Sequence, residues 1–288
     1  MSQIFAPRVF PEPIAPEPRS VVVEAFRETV YSAYREHGRS FAWRETSDPY
    51  HILVSEIMLQ QTQVERVAKK YPEFLAVFPS FEVLANAPLG QVLAAWQGMG
   101  YNRRAIALKR SAETVVREYG GRLPSSVDSL EKFPGIGAAT AGSICAFAFN
   151  MPTVFIETNI RRVFIHSFFA GEEGVSDRQI LPLVAETLDA ADPRTWYYAL
   201  TDYGVLLRRL VSNPNRRSQH YHRQSQFEGS RRQVRAKIVR LLLREGIVSR
   251  EAILAGVGET TYEVGDILDE LLAEGMLARE RDSFRLPE

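Results

Sequence analysis

The chain has 288 residues, 45% of them hydrophobic and 24% charged, which is enough apolar material for a real core in one or two domains. Lys plus Arg and Asp plus Glu both number 35, so the formal net charge is zero; a histone-like polycation is excluded, a local basic stripe is not. The single cysteine, Cys145, excludes an intramolecular disulfide, a CxxC redox pair and a four-cysteine metal or iron–sulfur site. With no run of about eighteen apolar residues and no apolar leader, a soluble cytoplasmic protein with no membrane partner is expected.

Five of the sixteen prolines fall in residues 1–20, which read as an extended arm or tail. From Val21 the pattern turns helical, with Val22, Phe26, Val30 and Tyr34 on one stripe. A second helix opens at Asp48-Pro49, an N-cap acceptor followed by the proline favoured in the first turn, and its stripe includes Ile52, Ile57 and Leu59. Further helices are expected near 63–77, 81–87, 102–118, 126–132, 138–148, 158–169, 176–191 and 194–210. Period-two alternation is nearly absent before residue 240, so the body is mainly α. Apolar periodicity then gives way at 212–230 to a polar stretch rich in Arg, His and Gln, read as a linker or wrapping segment.

Residues 231–288 read as a separate small unit. Val234, Ile238 and Leu241 mark one helix, Ser249–Leu254 a second and Thr260–Leu272 a third, followed by a hairpin around Arg281-Asp-Ser283, which is a winged-helix pattern. The third helix would ordinarily enter a DNA groove. Here it carries Glu263, Asp266, Asp269, Glu270 and Glu274 with no Lys or Arg between Thr260 and Glu274, which favours a structural or protein-binding module. The boundaries are therefore an arm at 1–20, a helical domain at 21–211, a basic segment at 212–230 and the winged-helix-like unit at 231–288.

Eleven basic residues stand between Arg208 and Arg244 against one acid, Glu228. A solvated helix face and a phosphate-tracking surface are both open readings; Arg216 and Arg217, beside Asn, Gln and Tyr221, are the candidate phosphate contacts. His220 and His222 lack a cysteine or acidic neighbour and are a weak metal signal. The most informative string runs from Leu130 to Gly142. A helix ends, Pro134-Gly135-Ile136-Gly137 turns, and a small-residue helix begins with Ala138, Ala139 and Thr140. The glycines allow positive φ, and the new helix offers unpaired N–H groups at its positive end, a nest for a phosphate without a basic side chain. A plain glycine turn between two helices is the alternative.

Asp48-Pro-Tyr-His-Ile-Leu-Val-Ser-Glu-Ile-Met-Leu-Gln-Gln-Thr62, Gly98-Met-Gly-Tyr-Asn-Arg-Arg104, the hairpin 130–142 and Ala199-Leu-Thr-Asp-Tyr-Gly204 together resemble adenine DNA glycosylases of the MutY type. The resemblance covers about residues 24–210 and extends to the helix-hairpin-helix glycosylase superfamily, which includes endonuclease III. It implies a mainly α, two-lobed helix-hairpin-helix glycosylase fold, with the winged-helix-like module appended. It implies Glu56 as the acid that protonates the departing base, and Leu59, Gln60 and Gln61 as the segment that probes the opposite strand and fills the void. It further implies Tyr101 as a wedge between bases, Trp43 and Arg44 as lining of the base pocket, and Asn159 in the loop that carries a second carboxylate.

The chemistry is consistent with that assignment. Breaking an N-glycosidic bond needs an acid for the leaving base and an anion beside the oxocarbenium-like sugar. Burial of Glu56 in the apolar face of its helix would keep it protonated near neutrality. Four departures stand out. Glu157 occupies the usual aspartate position, moving the carboxylate out by about 1.5 Å. Ala139 replaces the Schiff-base lysine of endonuclease III, so lyase chemistry is not expected. The iron–sulfur loop is missing, so no cofactor is expected beyond a candidate monovalent cation at the hairpin. The tail is too short for the domain with which MutY reads 8-oxoguanine. The expected activity is monofunctional excision of a mispaired base from double-stranded DNA, foremost adenine opposite 8-oxoguanine or guanine. A mismatch-specific thymine or uracil glycosylase, a non-catalytic DNA-damage binder and a bifunctional lyase are the alternatives, with a protein partner open for the C-terminal module.

Overall fold

A computed structural model describes residues 6–10, 19–222 and 226–287. Most of the proline-rich arm, at 1–5 and 11–18, and Arg223 of the basic run lie outside the described residues. The helices come in the order α1 (Arg19–His37), α2 (Pro49–Leu59), α3 (Val64–Val77), α4 (Phe81–Asn86), α5 (Leu89–Ala95), α6 (Arg103–Tyr119), α7 (Val127–Leu130), α8 (Ala138–Phe149), α9 (Thr158–Phe168), α10 (Asp177–Thr187) and α11 (Pro193–Leu210). After the basic segment follow α12 (Arg231–Glu245), β1 (Val248–Ser249), α13 (Arg250–Val257), α14 (Val264–Ala273), β2 (Ala278–Glu280) and β3 (Ser283–Arg285). Among the described residues, no helix is long and apolar enough to cross a membrane.

The chain divides into two compact units, each assembled from separated segments. The first takes Met1–Pro49, Ser125–Asp128 and Gly137–Arg223; the second takes Tyr50–Pro124, Ser129–Ile136 and Gln224–Glu288. In the first unit α1 buries Phe26 and Val30 of its expected stripe, together with Thr29 and Ala33. Phe26 meets Phe164 and Phe168 of α9 and the edge of Trp196 of α11 at centroid distances of 5.4, 4.9 and 6.0 Å. Phe10 joins this aromatic core: its amide donates to the Ser167 carbonyl at 2.8 Å, and its ring stacks on Phe168. Phe10 thus ties the described part of the arm to this core. Helix α10 stops at Thr187, four residues short of the expected end, where the Arg27 guanidinium takes the carbonyls of Thr187 and Leu188.

In the second unit α2 buries Ile52, Leu53, Val54, Ile57 and Met58, and Phe74 of α3 meets the edge of Trp96 at 5.8 Å. No pattern in the sequence predicts helix α5. Its seven residues are too short to show a period and include Gly90, yet Leu89, Val92 and Leu93 are all buried. The C-terminal part of this unit has the expected three helices, and its strands form an antiparallel sheet in the order β1-β3-β2, with Val248 opposite Phe284 and Arg279 opposite Phe284 on the other edge. On α12 the buried residues are Val234, Ile238, Val239 and Leu242; Leu241 is only half-buried and packs over Gly256, so the expected stripe is displaced by one residue.

Candidate active site and nucleic-acid interface

The second unit holds Glu56, Leu59, Gln60, Gln61, Tyr101, Pro134, Gly135 and Ile136. Between Ile52 and Met58, Glu56 is the one side chain that is not buried. Just beyond it, α2 ends in a tight turn, with Gln61 at φ +52°. A second tight loop follows α5, with Gly98, Gly100 and Tyr101 at φ +87°, +69° and +48°. Two of the four expected DNA-probing residues, Gln61 and Tyr101, therefore occupy a backbone region that non-glycine side chains rarely adopt.

Arg104 ties these loops together. It is 9% exposed, and its guanidinium donates to the carbonyls of Ile57, Met58 and Gln60 at 2.9, 2.8 and 2.6 Å and to Thr62 Oγ1 at 2.9 Å. It also reaches the carbonyls of Met99 and Gly100 at 3.2 and 3.1 Å. Burial pushes this guanidinium down to about 10, so it stays charged at neutral pH. The hairpin loop is joined to the same constellation: Gln60 Nε2 donates to the Gly135 carbonyl at 3.1 Å. Gly135 lies at φ +75°, and a Cβ there would stand 2.9 Å from that of Ala107, so the turn requires glycine twice over. Ile136 and Phe133 are buried and anchor it.

The first unit holds Trp43, Arg44, Gly137, Ala139, Thr140, Glu157, Asn159, Arg216 and Arg217. Gly137 is the N-cap of α8 without a side-chain cap, and Gly137, Ala138 and Ala139 are exposed, so the orphan amides of the first turn open toward solvent. Farther along, Gly142 makes room for Phe155, whose Cβ would lie 2.9 Å from an added methyl. Cys145 is buried and donates to the Ser125 carbonyl at 3.3 Å; burial pushes its thiol up to about 11, which makes it a packing residue.

Glu157 is the N-cap of α9. Its Oε1 accepts from the Asn159 and Ile160 amides at 2.8 and 3.0 Å, and its Oε2 from Asn159 Nδ2 at 3.2 Å. Enclosure raises its carboxyl above the ordinary carboxylate range, against the opposing pull of those donors and of Arg162. Arg162 extends the network, donating to Asn159 Oδ1 at 2.7 Å and to the Gly204 carbonyl at 2.8 Å. Only glycine fits at 204, where a Cβ would lie 2.5 Å from the Asn159 carbonyl oxygen. Asn159 thus orients the carboxylate.

Arg44 is committed to a buried partner. Its Nη1 and Nη2 donate to Asp202 at 2.7 and 2.9 Å, while Arg39 Nε reaches the same carboxylate at 2.8 Å. Burial alone would raise Asp202, but these two guanidinium groups hold it below its usual value. Trp43 is buried and stacks on Phe41 at 4.6 Å. Arg44 lines a cavity of about 440 Å³ with Tyr34, Arg39, Arg194 and Tyr198; Trp43 does not, so that cavity does not unite the two expected pocket residues.

The basic segment separates into residues with different duties. Arg216 is exposed, whereas Arg217 is half-buried and donates to the carbonyls of Phe169 and Ile165, closing the C-terminal end of α9. A phosphate contact through Arg217 therefore competes with a cap. Arg217→Ala is expected to cost about 1–3 kcal/mol of stability, while Arg216→Ala leaves melting unchanged and flattens the log–log salt slope of duplex binding by about one. Thermal melts and salt titrations of the two single variants separate these outcomes. Arg231 and Arg235 are likewise engaged, with Glu270 at 2.7 and 3.1 Å, and Arg235 also pairs with Glu274. The acidic face of α14 thus neutralises part of α12. Among the described residues, no group of three or more His, Cys, Asp or Glu could hold a metal ion.

Arg104, Arg162, Asp202 and Gly204 are the supporting residues that the sequence did not single out. Each lies inside one of the informative strings or beside one, but a supporting role shows only in three dimensions.

A family model for an HhH-GPD superfamily base excision DNA repair protein matches residues 54–181. An adenine DNA glycosylase of Buchnera aphidicola subsp. Baizongia pistaciae is 34% identical over 194 residues, covering 66% of this chain and 54% of that protein. One from Mycolicibacterium smegmatis is 31% identical over 270 residues, covering 87% of this chain and 92% of that protein. Among solved structures, a thermostable thymine-DNA glycosylase aligns with a TM-score of 0.58 and 25% identity over 65% of this chain and 88% of that one. The chain spans about half the length of the first of these relatives, and less of several others.

Proposed function

Since the chain belongs to the HhH-GPD superfamily of base excision DNA repair proteins, we propose that it is a monofunctional DNA glycosylase that hydrolyses the N-glycosidic bond of adenine mispaired with 8-oxoguanine or guanine. The observation that carries the proposal is the placement of Glu56, the half-open residue of an otherwise buried turn, directly ahead of the strained Leu59–Gln61 turn that Arg104 locks.

Base release requires the nucleotide to leave the stack, at a cost of about a few kcal/mol. Tyr101 wedges the stack, and Leu59, Gln60 and Gln61 occupy the void and test the base opposite. Rigid loops suit this task, because a wedge that relaxes cannot hold an unstacked base. Phosphates are held by main-chain donors of Gly135, Gly137 and Ala139, with Arg216 contributing a point charge at some distance in sequence. Glu56 donates its proton to the leaving base. Glu157, as an anion, stabilises the electron-poor sugar or orients the attacking water. Arg44, its guanidinium fixed by Asp202, is the expected pocket residue that borders a cavity, and Trp43, buried and stacked on Phe41, backs it from inside. Ala139 offers no amine for a Schiff base, so water is the nucleophile and the strand remains intact. No cofactor is assigned. A monovalent cation would rest on hairpin carbonyls, of which Phe133 and Gly135 already accept from Ile136 N and Gln60 Nε2.

Likeness to a thymine-DNA glycosylase at 25% identity supports a second substrate reading, thymine or uracil opposite guanine. The test is base release from A·8-oxoguanine, A·G, G·T and G·U duplexes, each with and without alkali. Adenine release, with strand breaks only after alkali, is expected. Release confined to G·T or G·U transfers the assignment to the second reading, and release from none overturns both. A pH series on the active duplex tests Glu157. Its raised carboxyl makes the anion available only above the ordinary carboxylate range, so single-turnover release rises with pH through that raised value. A flat acid limb, or an unchanged limb in Glu157→Gln, removes Glu157 from the anionic role.

A further inference from the structure

The second unit contains a cavity of about 1090 Å³ that the roles assigned above touch only at Gln61 and Tyr101. One wall comes from the loops already described, with Gln61, Gln97 and Tyr101; the other comes from α12 and α14 and from Phe227. Its floor is apolar, with Leu93, Met99, Val239, Leu271 and Met276 all buried. Around it stand the arginines at 66, 103, 231, 232, 235 and 240, against the glutamates at 270 and 274. Those acids are spent on Arg231 and Arg235, whereas Arg66 and Arg240 are exposed and enter no ion pair among the described residues. Phe227 is 51% exposed. Arg232 Nη1 donates to the Tyr101 hydroxyl at 2.6 Å, and its guanidinium lies 5.4 Å from the ring centroid, so the expected wedge is continuous with the cavity.

We propose that this cavity binds a single-stranded DNA segment, taking an unstacked base over its apolar floor between Phe227 and Tyr101 and the flanking phosphates on Arg66 and Arg240. An apolar floor beside aromatic rings offers stacking that a base paired inside a duplex cannot use, because its faces are already covered. Amide side chains at Gln61, Gln63 and Gln97 can meet base edges without demanding one sequence. The surplus of arginine selects a polyanion and disfavours an apolar or basic peptide. The volume, at the upper end of what a small ligand fills, suits a nucleotide or two and excludes a duplex. Tyr101 at its rim would lead a separated strand inward. The proposal rests on the reading of the chain as a DNA-acting protein, and it extends that reading from the excised base to a strand already parted from its complement.

The test uses the full chain and a fluorescein-labelled oligothymidine followed by anisotropy. Phe227→Ala is expected to weaken binding by roughly 5- to 160-fold, the range for loss of one stacking platform. Arg240→Ala should flatten the log–log salt slope by about 0.7, the value for one phosphate of a single strand. Both side chains are exposed, and equal melting temperatures verify that the variants are folded. Wild-type affinity and salt slope in both variants overturn the proposal. So does displacement by polyglutamate as effective as by unlabelled oligothymidine, which assigns the cavity to an acidic protein partner. Base release from duplexes by the wild-type chain is read separately. Its absence alongside oligothymidine binding that the variants impair overturns the glycosylase assignment and supports the strand site.

Discussion

Glu56→Gln is expected to lower single-turnover base release by roughly 10²–10⁴-fold while leaving duplex affinity unchanged. The amide keeps the shape and the neighbouring packing of the carboxyl, but it has no acidic proton for a departing base. Glu56 lies on a helix whose flanking residues Ser55 and Ile57 are both buried, so a substitution of equal size should leave α2 undisturbed. In the proposed arrangement duplex binding rests on the loops and main-chain donors, none of which uses that proton. Equal and near-zero release by wild type and variant, with tight duplex binding in both, would instead identify a binder of damaged DNA without catalysis. A large loss of affinity in the variant would place Glu56 among the binding residues.

The second large effect concerns stability. Arg104→Met retains most of the buried aliphatic volume but removes every donor. Six acceptors, on the last turn of α2 and on the two loops, then lose a charged partner, and the residual cost is about 3–5 kcal/mol, the range for breaking a buried charged network. Lysine is a poor substitute, since three donors on one nitrogen cannot span acceptors that the flat guanidinium fork reaches on both sides. Because Gln61 and Tyr101 are held at positive φ, the loss should be felt first at residues 60–62 and 98–101. Hydrogen exchange there is expected to rise ahead of exchange in α6 itself. A variant that melts with the wild type and protects those amides equally would show that the loops hold themselves.

Much of this architecture could be read from the residues. The Asp48-Pro49 start of α2, the Pro-Gly-Ile-Gly turn and the helix α9 behind Glu157 carry local chemistry: a cap, a proline, a glycine that must turn. Such rules act over a few residues and leave a mark in the order of amino acids. Helix α5 leaves no such mark, because its seven residues are too few for a period; it is helical because Leu89, Val92 and Leu93 have a core to enter. Charge was the least legible property. In sequence, Arg217 looks like Arg216, and only the carbonyls of Phe169 and Ile165 tell them apart. Likewise, the acidic run on α14 reads as a repulsive surface until Arg231 and Arg235 are found against Glu270. Long-range pairing has no signature in spacing, so an arginine count overstates what is free to meet a phosphate.

The support around Glu157 shows the same limit. Glutamate is an uncommon N-cap, since Ser, Thr, Asp and Asn are preferred. Its extra methylene led to the expectation of a displaced carboxylate. The structure shows the longer side chain folded back onto the amides of Asn159 and Ile160. Gly204, in a string whose only signal is its resemblance, lets α11 approach the Asn159 backbone closely enough for Arg162 to bridge them.

The polypeptide crosses between its two units at Pro49–Tyr50, Pro124–Ser125, Asp128–Ser129, Ile136–Gly137 and Arg223–Gln224. No single cut therefore yields either half as a continuous fragment, and a truncation ahead of Gln224 would strip the second unit of α12 and the sheet while leaving its N-terminal helices behind. Each half closes only after distant stretches have met, which slows assembly relative to a chain whose contacts are local. Evolution by simple swapping of one lobe for another is correspondingly barred, because any replacement would have to be stitched in at several joints at once.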